Sequence, residues 1–263
     1  MFNKSEDRED YQRTHALLAV MARNLPNGYL IQKHHHRRSQ LIYGTTGSIV
    51  VSTAQGHWVV PPQRAVWIPA GTTHEMRTAG AVKMRTVYVE PDARPDLPSK
   101  CQVMLVRPLL RELIKVAARF PIDCEKSCRD ERVIELILDE LLPLDVQPLH
   151  LPWPNDSRAK RACELMTEDL SETVDMRQIG VLAGASKRTL ERLFPQETGL
   201  SCAQWRRQAK LLHALELLAN NNSVSFVAEA VGYESVSAFS SLFRLQFGAT
   251  PSKYFGIAPW DPR

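Results

Sequence analysis

Long apolar runs are missing from this sequence, and their absence argues against a membrane-spanning helix. No stretch approaches the roughly 18 uninterrupted apolar residues that a membrane helix requires. The first residues alternate between acidic, basic and polar side chains, without the apolar core typical of a signal peptide. We therefore expect a cytoplasmic protein that has no membrane partner.

The sequence also lacks an even set of cysteines that could form a disulfide framework, and it lacks a strong excess of charge of one sign. The 263 residues include five scattered cysteines, an odd number that argues against a disulfide framework. Lys and Arg total 33 against 29 for Asp and Glu, which gives a net charge of +4. An excess this small permits a nucleic-acid partner but does not by itself indicate one. The length favours two domains.

The first half of the chain has the pattern of short β-strands. Between about 28 and 91, runs rich in Val, Ile, Tyr and Trp alternate with breaks that contain Gly or Pro. Strands this short, with no helical stretch between them, indicate an antiparallel barrel or sandwich rather than a parallel α/β sheet. Apolar residues spaced by three and four positions then predict helices within about 104–142. Together these elements form a predicted first domain over 1–150.

Prolines mark the predicted domain boundary. Four prolines lie from Pro143 to Pro154, a density that stops helices and suits an extended linker, which we place at 143–157. From 158 to 255 the pattern is entirely helical. The predicted fold class is therefore a two-domain α+β protein, with a β-barrel and its following helices before an all-α domain.

One spacing of a small residue, a glycine and an apolar residue occurs twice in the helical half. The copies are Gly180, Gly184 and Leu190, and then Ala228, Gly232 and Ala238. The small residue lets two helices approach, the glycine adopts the positive φ of a turn, and the apolar residue faces a shared core. The repeat predicts helix-turn-helix motifs at about 176–195 and 224–247, joined by a long helix from about 202 to 219. We expect Pro195 to end the second helix of the first motif.

Two stretches resemble the paired half-motifs of the AraC/XylS family of bacterial transcription regulators. They are SKRTLERLFPQETGLS and VAEAVGYESVSAFSSLFRLQFGATPSKYF, and the resemblance covers roughly 157–255. It implies two recognition helices that enter successive major-groove segments, one DNA turn or ~34 Å apart. The sequence departs from the family pattern at Pro195, at Phe226 and in the second recognition helix, where Arg244 is the only basic residue.

The exposed faces of the two predicted recognition helices supply the candidate DNA contacts. Arg188 and Arg192 are four residues apart, share a helix face and are placed to reach guanine edges together. The second helix offers mainly small hydroxyls, so we expect the first motif to dominate base reading. The alternative is that these side chains form a solvated helix face. The full candidate set is Ser186, Lys187, Arg188, Thr189, Glu191, Arg192, Ser235, Val236, Ser237, Ser240, Ser241 and Arg244.

A histidine pattern in the predicted barrel resembles the two signature motifs of the cupin superfamily, small barrels whose mouths hold a metal or a small ligand. The pattern consists of Gly28, His34, His36, Gln40 and Gly47, followed by a Pro-Ala-Gly-Thr-Thr-His run that ends at His74. Period-two geometry places His34, His36 and Gln40 on one face of the sheet. Metal-binding cupins normally carry glutamate at the position of Gln40, and a neutral amide is a weaker ligand for a divalent cation.

Three interpretations of this cluster stay open. His34, His36, Gln40 and His74, together with Trp67, form the polar floor of an effector pocket and require no cofactor. Alternatively, His34, His36, Gln40 and His74 hold a divalent transition metal such as Zn, Ni or Mn, for which three imidazoles can suffice. The third interpretation is cupin-type catalysis.

These features together predict a sequence-specific DNA-binding transcription regulator that responds to a small molecule and is not an enzyme. The expected partners are double-stranded DNA, a small-molecule effector, a second copy of the chain that pairs through the helices at 104–142, and RNA polymerase if the regulator activates. A metal-dependent cupin isomerase or dioxygenase with a helical appendage is the main alternative, but it leaves the repeated motif unexplained. A helical interaction module that does not bind DNA is the other.

Overall fold

Strands dominate the first half of the chain and helices the second. The computed structural model describes residue 5 and residues 7–122, 128–141 and 149–255. Within these ranges the chain divides into two units, the first with 7–53 and 60–141 and the second with 54–59 and 149–255. None of the helices in these ranges is both long and apolar enough to cross a membrane.

The sheet-rich half confirms the predicted antiparallel architecture. In chain order its elements are α1 (Arg8–Arg13), β1 (Leu18–Leu25), β2 (Leu30–His34), β3 (Ser39–Gly44), β4 (Ser48–Thr53), β5 (Gly56–Val60), β6 (Arg64–Ile68), β7 (His74–Ala79), β8 (Val82–Val89), β9 (Gln102–Leu105), α2 (Pro108–Ala117) and α3 (Cys128–Asp139). One sheet of the first unit has the order β1-β8-β3-β6-β9, and the other contains β4-β7-β2.

The sheets extend beyond the predicted limits of 28 and 91. β1 begins at Leu18, and its first four residues are all buried. A strand buried on both faces lacks the alternation of apolar and polar residues by which strands are recognised. β9 pairs with β6 where we predicted the start of a helix. The helix begins only at Pro108, since proline suits the first helical position, where no N–H is needed.

The core of the first unit lies between the β1-β8-β3-β6-β9 sheet and the two helices. Leu110 and Ile114 of α2 and Ile137 of α3 are fully buried against this sheet. Each helix also has a partly solvent-exposed leucine on another face: Leu109 of α2 is 51% exposed and Leu136 of α3 is 44% exposed. The helix pair therefore has a buried apolar face and a second, partly apolar face.

The second unit is helical, as predicted. Its elements are a short strand β10 (His150–Pro152), α4 (Ser157–Glu168), α5 (Met176–Leu182), α6 (Lys187–Thr198), α7 (Cys202–Ala219), α8 (Val224–Ala230), α9 (Val236–Phe247) and α10 (Pro251–Tyr254). Each helix from α4 to α9 follows a side chain that accepts a hydrogen bond from a free backbone N–H of the first turn. These capping residues are Asp156, Asp175, Ser186, Ser201, Ser223 and Ser235.

The predicted linker at 143–157 contains structure. β10 pairs with β5, with Leu151 opposite His57. The indole N–H of Trp205 in α7 donates to the carbonyl of Pro152 over 2.7 Å, and the Trp153 ring meets the Trp205 ring edge-on. The residues from 142 to 148 lie outside the described ranges, and α4 already begins at Ser157.

Pro195 lies inside α6, and the prediction that it ends the helix is wrong. The helix continues to Gly199, whose φ of +73° closes it while its N–H donates to the Pro195 carbonyl. A proline removes one helical hydrogen bond. Leu193 and Phe194 are buried at this point of the helix, and their packing holds the turn in place.

We predict that Gly232→Ala destabilises the helical unit more than Gly184→Ala does. Both glycines have positive φ, +69° and +70°, where an L-residue costs about 1–2 kcal/mol. A Cβ at Gly232 would also collide with the carbonyl oxygen of Ser171, whereas a Cβ at Gly184 meets no atom within 4 Å. Urea unfolding should therefore show a further loss of about 1–3 kcal/mol for Gly232→Ala. Equal losses for the two variants would contradict this packing.

Candidate functional site

The two predicted helix-turn-helix motifs have the same turn geometry. In the first, the N–H of Ala185 donates to the carbonyl of Gly180 over 2.8 Å. In the second, the N–H of Tyr233 donates to the carbonyl of Ala228 over 2.9 Å. A Cβ on Gly180 would lie only 2.6 Å from the Ala185 carbonyl oxygen, which explains why the helices approach at a small residue. The repeated spacing thus corresponds to a repeated structure.

The third member of the repeat differs between the motifs. Leu190 is fully buried, as predicted, but Ala238 is exposed and Phe239 takes the buried position. The second turn is one residue longer, because the capping serine follows Gly184 by two residues and Gly232 by three. The prediction for Ala238 is therefore wrong. Counted from the capping serines Ser186 and Ser235, the two motifs agree again.

The first recognition helix, α6, presents the predicted side chains to solvent. Lys187 forms an ion pair with Glu191 at 3.7 Å, and Arg192 donates a hydrogen bond to Gln196. Among the described residues, no ion pair or hydrogen bond engages the side chain of Arg188. An exposed arginine of this kind is available for a base edge or a phosphate. Of the other candidates, Ser186 is exposed and Thr189 is partly buried.

The second recognition helix, α9, is less polar on its exposed face. Four of its candidates, together with the capping residue Ser235, are exposed, and Ser240 is partly buried. The exposed four are Val236, Ser237, Ser241 and Arg244. Phe239 and Phe243 lie fully buried beneath them, which fixes the helix in one orientation. Arg244 remains the one basic side chain of this helix.

The three predicted histidines converge in the first unit. His34 at the end of β2 lies directly opposite His74 at the start of β7. His36 lies in the connection from β2 to β3, where its carbonyl accepts the N–H of Gly71 over 2.8 Å. The Nε2 atoms of His34 and His36 are 3.1 Å apart, and one ring nitrogen from each of the three histidines lies within 4.8 Å of the other two.

Hydrogen bonds define which ring nitrogen carries the proton in His34 and in His74. Nδ1 of His34 lies 2.6 Å from the carbonyl of Gln32, and Nδ1 of His74 lies 2.9 Å from the carbonyl of Thr72. A carbonyl can only accept, so each Nδ1 carries the proton and donates it, and each Nε2 is left as a lone-pair donor. Nε2 of His74, Nδ1 of His36 and Oε1 of Gln40 are buried without a hydrogen-bond partner among the described residues.

Burial keeps the cluster uncharged. It lowers the pKa of His36 to about 3, with the neighbouring His34 and His74 contributing in the same direction. It lowers the pKa of His74 to about 4, against the opposing effect of the hydrogen bond to Thr72, and it also lowers the pKa of His34. All three imidazoles are therefore neutral near pH 7.

The histidines and Gln40 line one cavity of about 300 Å³. The rest of its wall is mixed. Its apolar part is formed by Met21, Leu30, Ile31, Ile42, Met76 and Met84, and its polar part includes Asp7, Tyr29, Thr86 and Tyr88. Arginines also reach it, namely Arg8 at the start of α1 and Arg23 of β1, whose guanidinium lies 5.6 Å from the ring centroid of Tyr29. Sequence reasoning missed both arginines, since α1 and β1 lie before the predicted barrel and neither residue belongs to a recognisable motif.

Trp67 does not line this cavity, so its placement in the effector pocket is wrong. It is fully buried in the opposite layer, and its indole N–H donates to the Pro98 carbonyl. Trp67 pairs with Leu41 across β3, whereas Gln40 pairs with Ile68. Side chains alternate between the faces of a sheet, so Trp67 and Gln40 point in opposite directions.

Comparisons with known proteins agree with both halves of this description. Residues 20–170 match a family model described as AraC-like ligand binding domain, and residues 181–256 match one described as Helix-turn-helix domain. The HTH-type transcriptional regulator NimR of Escherichia coli (strain K12) is 35% identical over 221 residues, which cover 84% of this chain and 81% of NimR.

Two further similarities cover smaller shares of this chain. The HTH-type transcriptional regulator RipA of Corynebacterium glutamicum is 32% identical over 103 residues, or 39% of this chain and 31% of RipA. A crystal structure of an AraC-type transcriptional regulator from Chromobacterium violaceum aligns with 38% of this chain and 89% of that chain, at 30% identity and a TM-score of 0.36.

The ligand-binding match spans more than half of the chain, and the similarity to NimR extends over most of both proteins. These relatives are regulators, so the protein is not an enzyme, as predicted. The protein belongs to the AraC family of DNA-binding transcription regulators.

Proposed function

We propose that this regulator reads DNA with the exposed faces of α6 and α9, and that a small molecule in the histidine-lined cavity controls it in the cytoplasm. The observation that carries the DNA-reading part is the repeated turn, with matching hydrogen bonds at Gly180 and Ala228 and matching glycine conformations. A single helical hairpin with a glycine turn is common, whereas two of them joined by one helix form a composite reading surface.

The length of α7 supports this arrangement. The helix has 18 residues, so it is about 27 Å long by the standard rise per residue. That length is comparable with one turn of DNA, ~34 Å, which separates successive major-groove segments on one face. Within this scheme α6 makes the stronger base contacts, since it carries Lys187, Arg188 and Arg192 where α9 carries Arg244 alone.

The chemistry of the cavity indicates the class of effector. About 300 Å³ is the lower end of the usual size of ligand pockets. Methionine and isoleucine side chains favour a partly apolar molecule. Arg8 and Arg23 outnumber Asp7, the one carboxylate of the lining, and so favour a negative group on it. We therefore propose a small organic anion. Such a ligand regulates only if it binds one conformation of the protein more tightly than another.

The exposed apolar face of α2 and α3 supports the proposal of a homodimer. Leu109 and Leu136 are half-exposed on helices whose opposite faces are already buried. A second copy of the chain would cover them. It would also bring two DNA-reading units together, so that avidity is added to the affinity of each.

We predict that Arg188→Ala and Arg192→Ala each weaken binding to a selected DNA site. Loss of a bidentate guanine contact should cost about 1–3 kcal/mol and relax the preference at one base pair. Electrophoretic mobility shift across a series of single-base substitutions measures both effects. Arg161→Ala is the matched control, because Arg161 is an exposed arginine on α4, ion-paired with Glu164 and outside the recognition helices. Unchanged base preferences in both recognition-helix variants would refute the assignment.

We also predict that the double variant Leu109→Glu/Leu136→Glu is monomeric and keeps the base preferences of the wild type. Its affinity for a two-half-site DNA should fall about 100-fold, since avidity is lost without loss of any base contact. Analytical ultracentrifugation and mobility shift give the two readouts. Leu17→Glu, at a leucine that is equally exposed but lies outside α2 and α3, should remain dimeric. A monomeric wild type at micromolar concentration would contradict this prediction.

A further inference from the structure

We propose that Val236, the first residue of α9, reads the 5-methyl group of a thymine in the major groove, so that the second recognition helix distinguishes this base by an apolar contact. The inference rests on the proposed function for the placement of α9 on DNA. Its basis is the exposure of Val236, the absence of long polar side chains from the same turns of the helix, and the rigidity with which the fold presents this valine.

Val236 lies at the end of the helix that meets base edges. In helix-turn-helix proteins the N-terminal residues of the recognition helix contact the bases. The side chain of Ser235 accepts the N–H of Ala238 over 3.1 Å and fixes the first turn, while Phe239 is fully buried and sets the rotation of the helix. A valine in a helix has one strongly preferred side-chain rotamer. The two methyl groups of Val236 are therefore held in one direction at a fixed helix end.

The first two turns of α9 lack the side chains that recognise bases by paired hydrogen bonds. Such contacts to purines use Arg, Lys, Asn or Gln, and contacts to the cytosine amine use Asp or Glu. None of these occurs among the residues from Val236 to Phe243. Arg244 lies eight residues after Val236, about 12 Å further along the helix by the standard rise per residue. Ser237 and Ala238, the exposed neighbours of Val236, are short enough to let the helix approach the bases closely.

The matching position of the first recognition helix has the opposite chemistry. Counted from the capping serines Ser186 and Ser235, Val236 corresponds to Lys187, which forms an ion pair with Glu191. Val236 is 42% exposed, so part of its apolar surface is still available for burial on binding. The 5-methyl group of thymine is the apolar group that base pairs present in the major groove. Valine therefore selects thymine where a lysine would favour guanine.

The test uses the full-length protein and a DNA site selected by the wild type from a random library. Each thymine of the site is replaced in turn by deoxyuridine, which lacks only the 5-methyl group and keeps every hydrogen-bonding atom. We expect one replacement to weaken wild-type binding by roughly three- to five-fold, the value of one buried methyl group. Val236→Ala should bind the thymine site more weakly by a similar factor. At that position it should bind the thymine and deoxyuridine sites with equal affinity, which closes a double-mutant cycle on the contact.

Val181→Ala is the matched control. Val181 is an exposed valine on α5, outside the recognition helices, so this variant should keep every effect of deoxyuridine that the wild type shows. Val236→Ala retains the fold, because the side chain is exposed and alanine is the stronger helix former. Circular dichroism of the two variants checks this directly.

Two results would each overturn the methyl contact. One is a wild type that binds every deoxyuridine site as tightly as the thymine site, and the other is a Val236→Ala variant that keeps every deoxyuridine effect of the wild type. The base preferences of the same wild-type sample separate this inference from the proposed function. Selective binding that persists alongside either result removes only the role of Val236, whereas a wild type without sequence preference overturns both.

Discussion

The alternation of side chains along β3 is the constraint on which the sensor half depends. Leu41 and Tyr43 point into the apolar core beneath α2 and α3, while Gln40 and Ile42 point into the cavity. The flanking strand β8 repeats the division through its backbone pairing with β3. One sheet thereby separates a dry interior, which stabilises the unit, from a cavity of mixed polarity that holds polar atoms without a partner among the described residues. A shift of one residue in this register would exchange the two environments.

In the DNA-reading half, the position of a residue relative to the helix cap, rather than its position along a strand, determines whether its side chain is buried or exposed. Ser186 and Ser235 fix the first turn of α6 and α9. Four residues later, Leu190 and Phe239 enter the core, and the first two residues of each helix stay exposed. Caps and core anchors together therefore orient each recognition helix. The length of the preceding turn can vary by one residue without altering the presented face.

The periodicity of the sequence predicted the helical half well, because glycine and capping serines stop and start helices by local chemistry. The bounds of α7, predicted at about 202–219, follow from such local signals, since Ser201 caps its start and Asn220 ends it. Three features escaped for physical reasons. The first four residues of β1 are all buried and show no alternation, Trp67 required the strand register to place it, and Arg23 reaches the cavity through tertiary folding. The convergence of the histidines was predictable, since His34 and His36 lie near one strand end and His74 begins another.

The pairing of β10 with β5 shows that the helical unit is assembled from two separate lengths of chain. Trp205 is fully buried, and the acceptor for its indole N–H is Pro152, five residues before α4 begins. A proteolytic fragment that starts at Ser157 would leave this donor buried without an acceptor, at a cost of about 1–3 kcal/mol. It would also lose the Trp153 ring that packs on Trp205. A fragment that keeps both contacts must therefore begin no later than Pro152, upstream of the helices that the sequence resemblance defines.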